Sequence, residues 1–376
     1  MMRIWKNFGH WIESWGYAIL NGLPAYRLSV IGVTGTDGKT TTCHLIYEIL
    51  KMAGFRVALI STVAAYIGEE EIDTGFHVTT PDARLLQPLL KKIADMRFTH
   101  VVLEVTSHGL DQNRLAGVRF EVGIITNITH EHLDYHQTFE NYRQTKTKLL
   151  KMARRPIYKY EKTKIKISNP ALPGEYNKYN VGAAEAVVKI FGVQYSVISE
   201  VAKNFAGVPG RMEEIRQGQP FRAIVDFAHT PNALEQVLTT LKKELGVRSQ
   251  LILVFGCAGL RDHSKRPMMG RIATKLADVV IVTAEDPRTE SLDEIFKQIT
   301  SPLPSPEFRR GGSTAVEGEV FRVDDRQKAI NKAVAMAKPG DIVVVTGKGH
   351  EKSMCFGKTE YPWSDREALT TAIRKL

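Results

Sequence analysis

Val30-Ile-Gly-Val-Thr-Gly-Thr-Asp-Gly-Lys-Thr-Thr-Thr42 reads as a buried strand, a glycine-rich turn and the first turn of a helix. Upstream lies the apolar run Leu28 to Val33; downstream, Leu45, Ile46, Ile49 and Leu50 recur at helical spacing. Backbone N–H groups in such a turn point inward and cradle phosphate oxygens, and the helix N-terminus adds a partial positive charge. Lys39 is placed to reach β- and γ-phosphates, and the Thr40 hydroxyl to meet Mg²⁺. Gly35, Thr36, Asp37, Gly38, Lys39, Thr40 and Thr41 are therefore the expected nucleotide-phosphate site. The generic phosphate-loop spacing breaks at one point, where Val33 replaces an expected glycine.

The remainder of the chain reads as a globular protein of more than one domain. It has 376 residues, 43% hydrophobic and 24% charged, enough for two or three domains with a large core. A net charge of +10 suits acidic ligands, and no aromatic-and-basic nucleic-acid module accompanies it. Small anionic ligands are expected, and nucleic acid is not. Cys43, Cys257 and Cys355 are odd in number and far apart, which fits a reducing, cytoplasmic setting and gives no zinc spacing. No apolar stretch is long enough to span a membrane. Trp5, Phe8, Trp11, Trp15, Tyr17, Ile19 and Leu20 crowd one helical segment that lacks the compact apolar core of a secretory signal. Two readings stand for it: a helix packed on the first domain, or peripheral membrane contact through residues 1–25. A monomer is expected.

Beyond the phosphate loop, strands alternate with helices. Val57–Ser61, Val101–Val105 and Val122–Ile128 read as buried strands, with a helix over Asp82–Met96. The basic stretch 151–175 breaks the pattern and reads as irregular. A helix resumes near Asn177, Gly207–Arg211 reads as a linker, and a second series places strands at Ala223–Phe227, Leu251–Phe255, Val279–Thr283 and Asp341–Thr346. Ser313–Glu319 reads as an exposed loop. The expected fold class is α/β: a P-loop-type ATPase domain with a mostly parallel sheet over 30–206, then a Rossmann-like domain over 207–376, preceded by a Trp-rich helical segment over 1–29.

Several motifs stand in order along this frame. They are Gly32–Thr42, Thr79-Thr-Pro81, Glu104-Val-Thr-Ser-His-Gly-Leu-Asp-Gln-Asn-Arg114, Asn127-Ile-Thr-His-Glu-His-Leu-Asp-Tyr-His136 and Tyr142-x-x-x-Lys146. Further on come Gly174-Glu-Tyr-Asn-Lys-Tyr-Asn180, Asp226-Phe-Ala-His-Thr-Pro231, Phe255-Gly-Cys-Ala-Gly259, Glu285-Asp-Pro-Arg288 and Gly347-Lys-Gly-His-Glu351. Together they resemble the Mur ligases, most closely the MurE type, which adds the third amino acid to UDP-MurNAc-L-Ala-D-Glu.

The resemblance implies an ATP-dependent, ADP-forming amide ligase of peptidoglycan synthesis that activates a carboxylate as an acyl phosphate. It implies ATP and Mg²⁺, with Thr40, Glu104, His132 and a carbamylated Lys146 around the metal and Lys39 on the phosphates. By spacing alone Lys146 would be a solvated helix lysine. Thr79, Thr80, Ser107, Gln112 and Arg114 match positions that hold a muramoyl-dipeptide acyl donor, and Arg114 suits a carboxylate clamp on chemical grounds as well. Asn127, His229, Asn232 and Arg261 match the remaining nucleotide contacts, and the charged turn Arg261, Asp262, Lys265 and Arg266 is placed to close on the γ-phosphate. Asp286, Arg288, Gly347 and Glu351 match the incoming amino acid's site. Glu285-Asp286 replaces the family's Asp-Asn, but Arg288 is kept, which favours diaminopimelate over lysine because only diaminopimelate brings a second carboxylate there.

Two departures accompany the resemblance. The phosphate loop begins near residue 32, where a MurE-type enzyme has a whole preceding domain for the UDP moiety; residues 1–29 are too few for such a domain. The stretch 151–173 is shorter than the family's sheet region. Recognition of a UDP-linked precursor is thus left open beside two alternatives: a Mur-type ligase on an acyl substrate without UDP, as in folylpolyglutamate synthases, and a non-catalytic nucleotide-binding scaffold.

Overall fold

A computed structural model describes residues 2–73, 79–301 and 319–376, with side chains from Lys6 onward. Most of the loop read at Ser313–Glu319 lies outside the described residues. Contacts divide the chain into two compact units, Met1–Thr129 with His136–Ala206, and His130–Tyr135 with Gly207–Leu376. The segment His130–Tyr135, read from sequence as part of the first domain, groups with the second unit.

The first unit opens with α1 (Met2–Leu20), then β1 (Ser29–Thr34), α2 (Lys39–Met52), β2 (Val57–Ile60), β3 (Ala65–Ile67) and β4 (Glu70–Ile72). It continues with α3 (Ala83–Asp95), β5 (His100–Glu104), α4 (Ser107–Asp111) and β6 (Phe120–Ile125). After the short turn α5 (Leu133–His136) come α6 (Phe139–Met152), β7 (Ala153–Ile157), α7 (Glu175–Lys189) and α8 (Tyr195–Asn204). The strands form one sheet in the order β4-β3-β2-β5-β1-β6-β7. Its five strands from β2 to β7 are parallel, and β3 and β4 add an antiparallel edge. The central strands are apolar between their ends, at Val30–Val33, Val57–Ile60 and Val101–Leu103, because helices cover both faces and no polar alternation is selected.

The irregular reading of 151–175 is corrected in part: Ala153–Ile157 pairs with β6 as the edge strand. Arg154, Arg155 and Pro156 are poor central-strand residues, and at an edge that penalty is absent.

The second unit contains β8 (Glu213–Glu214), β9 (Arg222–Asp226), α9 (Pro231–Glu244), β10 (Leu251–Phe255), α10 (Lys265–Leu276), β11 (Val279–Val282) and α11 (Leu292–Thr300). It ends with β12 (Glu319–Arg322), α12 (Arg326–Met336), β13 (Ile342–Thr346), β14 (Ser353–Phe356), β15 (Thr359–Pro362) and α13 (Asp365–Arg374). Its sheet order is β12-β11-β10-β13-β9-β8, parallel except for β8, and β14 and β15 form a separate hairpin. Two apolar layers, one around Leu238 and Phe255 and one around Ile330 and Leu369, cover its faces.

Candidate active site

In the first unit, β1 lies between β5 and β6, and the connection from β5 to β6 crosses over it. That crossing opens a crevice at the strands' carboxyl ends, where open α/β sheets bind ligands. The turn after β1 enters it. Val33 is buried inside the strand, paired with Glu104 and Ile124, so the position needs no glycine. The tight backbone begins only at Gly35, and Gly38 has φ +78°. A Cβ on Gly38 would lie 2.2 Å from Asn180 Oδ1, and one on Gly35 1.8 Å from Thr126 Oγ1. These two positions accept only glycine.

The loop after β6 grips this turn. Asn127 accepts from Thr36 N–H with its carbonyl and from Asp37 N–H with its side chain, both at 2.9 Å. It also donates to the Asp37 carbonyl at 3.1 Å. Thr36 Oγ1 lies 3.0 Å from the Tyr142 hydroxyl and accepts from Thr129 N–H at 2.9 Å. Lys39 Nζ folds back to the Thr36 carbonyl at 2.9 Å. Thr40 and Thr41 stand in the first turn of α2, where the dipole favours an anion.

Glu104 ends β5 and is 1% exposed. It accepts from Thr40 Oγ1 at 3.1 Å and from Thr62 N–H at 3.0 Å. A buried carboxylate and a hydroxyl beside a phosphate cradle are the hard oxygen donors Mg²⁺ prefers. Among the described residues no group of three or more His, Cys, Asp or Glu side chains could hold a metal.

Lys146 is not the solvated lysine its spacing suggests. It is 2% exposed, its Nζ donates to the Gly35 carbonyl at 2.6 Å, and it lies 4.6 Å from the Tyr142 ring centroid. A carbonyl and an aromatic face both suit an ammonium, so a carbamate here would have to turn away from Gly35.

The acyl-donor positions gather at the β5–α4 turn. Thr80 Oγ1 accepts from Thr106 N–H at 2.8 Å and donates to the Glu104 carbonyl at 3.2 Å. Thr79 Oγ1 accepts from Thr62 Oγ1 at 3.0 Å, and Ser107 is buried at the start of α4. Arg114 donates to the Thr80 carbonyl at 3.0 Å and to Gln112 Oε1 at 2.9 Å, which orients it while part of the guanidinium stays accessible.

In the second unit, His132 has φ +57°, strained for a residue with a Cβ, and its Nδ1 is 3.9 Å from Glu131 Oε1. Glu131 is buried and pairs with buried Lys265 at 3.1 Å. Burial pulls the Lys265 pKa down, but Glu131, Cys257 and Glu285 together outweigh it and the net shift is upward. Arg266 is 0% exposed, donates to Glu290 Oε2 at 2.8 Å and to the Ala258 carbonyl at 2.9 Å. Lys265 and Arg266 are therefore committed to structural pairs, which corrects the expectation that either is free to close on a phosphate. Arg261 is exposed and remains available.

His229 Nδ1 donates to the Phe227 carbonyl at 3.0 Å, with Asn232 the second residue of the next helix. Around them stand residues the sequence reading missed. The Arg211 guanidinium lies 4.2 Å from the Phe227 ring centroid, and the His350 ring 5.2 Å from it. Arg211 was read only as linker.

The amino-acid positions converge at the 285–288 and 347–351 loops. Asp286 and Arg288 both have positive φ, and Arg288 donates to the Gly259 carbonyl at 2.7 Å. Lys348, a further missed residue, is 0% exposed; it pairs with Asp286 at 2.8 Å and with Glu351. Burial depresses the Lys348 pKa, but the two carboxylates outweigh this and raise it overall. Partial desolvation and then repulsion from Arg288 hold the Arg261 guanidinium, exposed overall, below its usual value. Gly347 has φ +109°, and a Cβ there would meet Glu285 Oε2 at 2.3 Å. Glu285 is fully buried and burial pushes its carboxyl up to about 7.

Residues 33–159 match the Mur ligase middle domain and residues 210–349 the Mur ligase glutamate ligase domain. The UDP-N-acetylmuramoyl-L-alanyl-D-glutamate–2,6-diaminopimelate ligase of Aquifex aeolicus is 36% identical over 93% of this chain and 78% of its own. The Clostridium acetobutylicum ligase 1 of that name is 33% identical over 94% and 80%. A solved structure of a ligase of that name aligns at TM-score 0.55 and 30% identity, covering 93% of this chain and 78% of that one. A Mycobacterium tuberculosis folylpolyglutamate synthase aligns at TM-score 0.69 and 17% identity over 90% and 92%, a likeness of fold. Use of ATP with a divalent cation goes with these relatives. The chain belongs to the Mur ligase family of ATP-dependent acid–amino acid ligases.

Proposed function

We propose that this chain joins meso-diaminopimelate to the D-glutamate of a muramoyl-L-Ala-D-Glu precursor, in the cytoplasm, with release of ADP and phosphate. The observation that carries the choice of amino acid is Arg288, 4.0 Å from Asp286 on the same loop, with Glu351 joined to Asp286 through Lys348. Diaminopimelate presents a carboxylate and an ammonium at its far end, and this set offers a partner for each. Lysine brings no second carboxylate to Arg288.

The phosphate-loop N–H groups and Lys39 hold the ATP phosphates, and Thr80, Ser107, Gln112 and Arg114 hold the acyl donor. Transfer of the γ-phosphoryl group to the donor carboxylate gives an acyl phosphate; the amine attacks its carbonyl carbon and phosphate leaves. Charge builds on phosphoryl oxygens, which is where preorganised donors act. Thr40 and Glu104, with His132 and a carbamylated Lys146 by family resemblance, would hold Mg²⁺, which neutralises that charge.

ATP turnover over a panel tests the reading: UDP-muramoyl-dipeptide, free muramoyl-dipeptide and a glutamate acceptor, each with diaminopimelate or lysine. The expected best pair is UDP-muramoyl-dipeptide with diaminopimelate. Faster turnover with lysine overturns the amino-acid assignment, and faster turnover on a glutamate acceptor favours the folylpolyglutamate-like alternative. Arg288→Ala is expected to lower kcat/KM for diaminopimelate about 100-fold and to leave lysine nearly unchanged. Rescue of Lys146→Ala turnover by a short carboxylic acid would support the carbamate; no rescue would remove it.

A further inference from the structure

The helix α1 is docked with its polar side inward. Asn7 Nδ2 donates to the Asp111 carbonyl at 2.8 Å, and Asn113 Nδ2 donates to the Asn7 carbonyl at 3.1 Å. Ser14 and Ala18 are buried. Gly117 has φ +83°, and a Cβ there would sit 2.6 Å from the Ala18 side chain, so the helix approaches the body closely. The side about 100° round from these carries Phe8, Trp11, Ile12 and Ile19, with Leu20 beyond them, exposed at 52%, 44%, 54%, 63% and 81%. At about 100° per residue the first four form one stripe. A helix docked for stability alone would bury that stripe.

The stripe borders a cleft of about 520 Å³ walled by Trp11, Trp15 and Met152 and edged by Arg119, Lys148 and Lys151. No carboxylate lines it, though Lys148 reaches Asp111 at 3.8 Å from its edge. Aromatic and aliphatic side chains beside a cluster of cations are the composition of surfaces that sit at a bilayer interface and meet anionic headgroups. No helix among the described residues is long and apolar enough to cross a membrane, so the contact would lie in the interfacial plane.

We propose that this face docks on an anionic lipid bilayer. Phe8, Trp11, Ile12, Ile19 and Leu20 enter the headgroup–acyl boundary, the cleft takes the end of a lipid chain, and Arg119, Lys148 and Lys151 meet headgroup phosphates. A protein partner would match the stripe but would not by itself require cations along the cleft.

The test is co-sedimentation of the full chain with vesicles of phosphatidylcholine alone and with a third phosphatidylglycerol, read beside quenching by lipids brominated on their acyl chains. Trp5, Trp11 and Trp15 lie in the first segment and Trp363 elsewhere, so quenching reports on this helix. The expected result is binding to the anionic vesicles with quenching. Ile12→Glu, and separately Arg119→Glu with Lys151→Glu, should each weaken it roughly tenfold or more while leaving the melting temperature in place. Binding to neither vesicle, equal binding to both, or binding without quenching overturns the proposal. So does concentration-dependent self-association of the free protein that Ile12→Glu abolishes, which would assign the face to a second copy of the chain.

Discussion

Lys146, in the middle of α6, donates to the carbonyl of Gly35 at 2.6 Å and so fastens the phosphate loop to a helix 111 residues further along the chain. The loop's shape therefore depends on a side chain outside the motif. Lys146→Met keeps the bulk and leaves a buried carbonyl short of a donor. It is expected to cost about 1–3 kcal/mol in urea unfolding. Tyr142→Phe, which loses the hydroxyl contact with Thr36, should cost about 1 kcal/mol. Because both act on the same turn, the double variant should depart from additivity by about 0.5 kcal/mol or more.

Gly38→Ala meets both a left-handed backbone and the Asn180 side chain. Strain of about 1–2 kcal/mol is expected from the backbone alone. Since the turn cannot keep its shape, affinity for a fluorescent ATP analogue should fall at least about tenfold while the second unit's melting is unmoved.

Glu104→Gln retains the size of the side chain but removes its charge. The Mg²⁺ concentration needed for half-maximal ATP turnover should rise about tenfold or more, with little change in the affinity for diaminopimelate.

Glu285 has its folded pKa raised, to about 7 from 4.5. Between those values the folded state holds a proton that the unfolded state has lost, so its contribution to stability falls as pH rises through that window. Glu285→Gln should therefore gain stability relative to the wild type from about pH 5 to about pH 7 and hold a constant difference above it, with a span of roughly 3 kcal/mol at most. Thermal melts at several pH values read this directly.

Arg266→Met removes the buried partner of Glu290, Gln298 and the Ala258 carbonyl. A loss of about 3–5 kcal/mol is expected, with residual activity tracking the folded fraction in urea. A loss of activity at unchanged stability would instead return Arg266 to the nucleotide site.

The β1–turn–α2 segment was legible because its glycines, its cation and the flanking apolar periods all sit within a short window. Lys146 entered only through the family resemblance: its own spacing reads as a solvated lysine, because what buries it is a loop distant in sequence and the helix around it is mostly polar. Lys348 was hidden inside Gly-Lys-Gly-His-Glu for the same reason: its counter-charge Asp286 is 62 residues away. Composition alone leaves open which side of α1 faces the body, and Asn7 decides it. Its hydrogen bonds to the α4 region hold that side in.

The strand β7 carries a consequence for how the chain behaves in a crowd. It is one edge of the first sheet, and β4 is the other. One margin presents Arg154, Arg155 and a proline with no N–H to give; the other presents Glu70 and Glu71. Two copies meeting by like margins repel. Salt would weaken that repulsion, yet the missing donor of Pro156 would persist, so the arginine margin stays closed to a growing fibril even where charge no longer protects it.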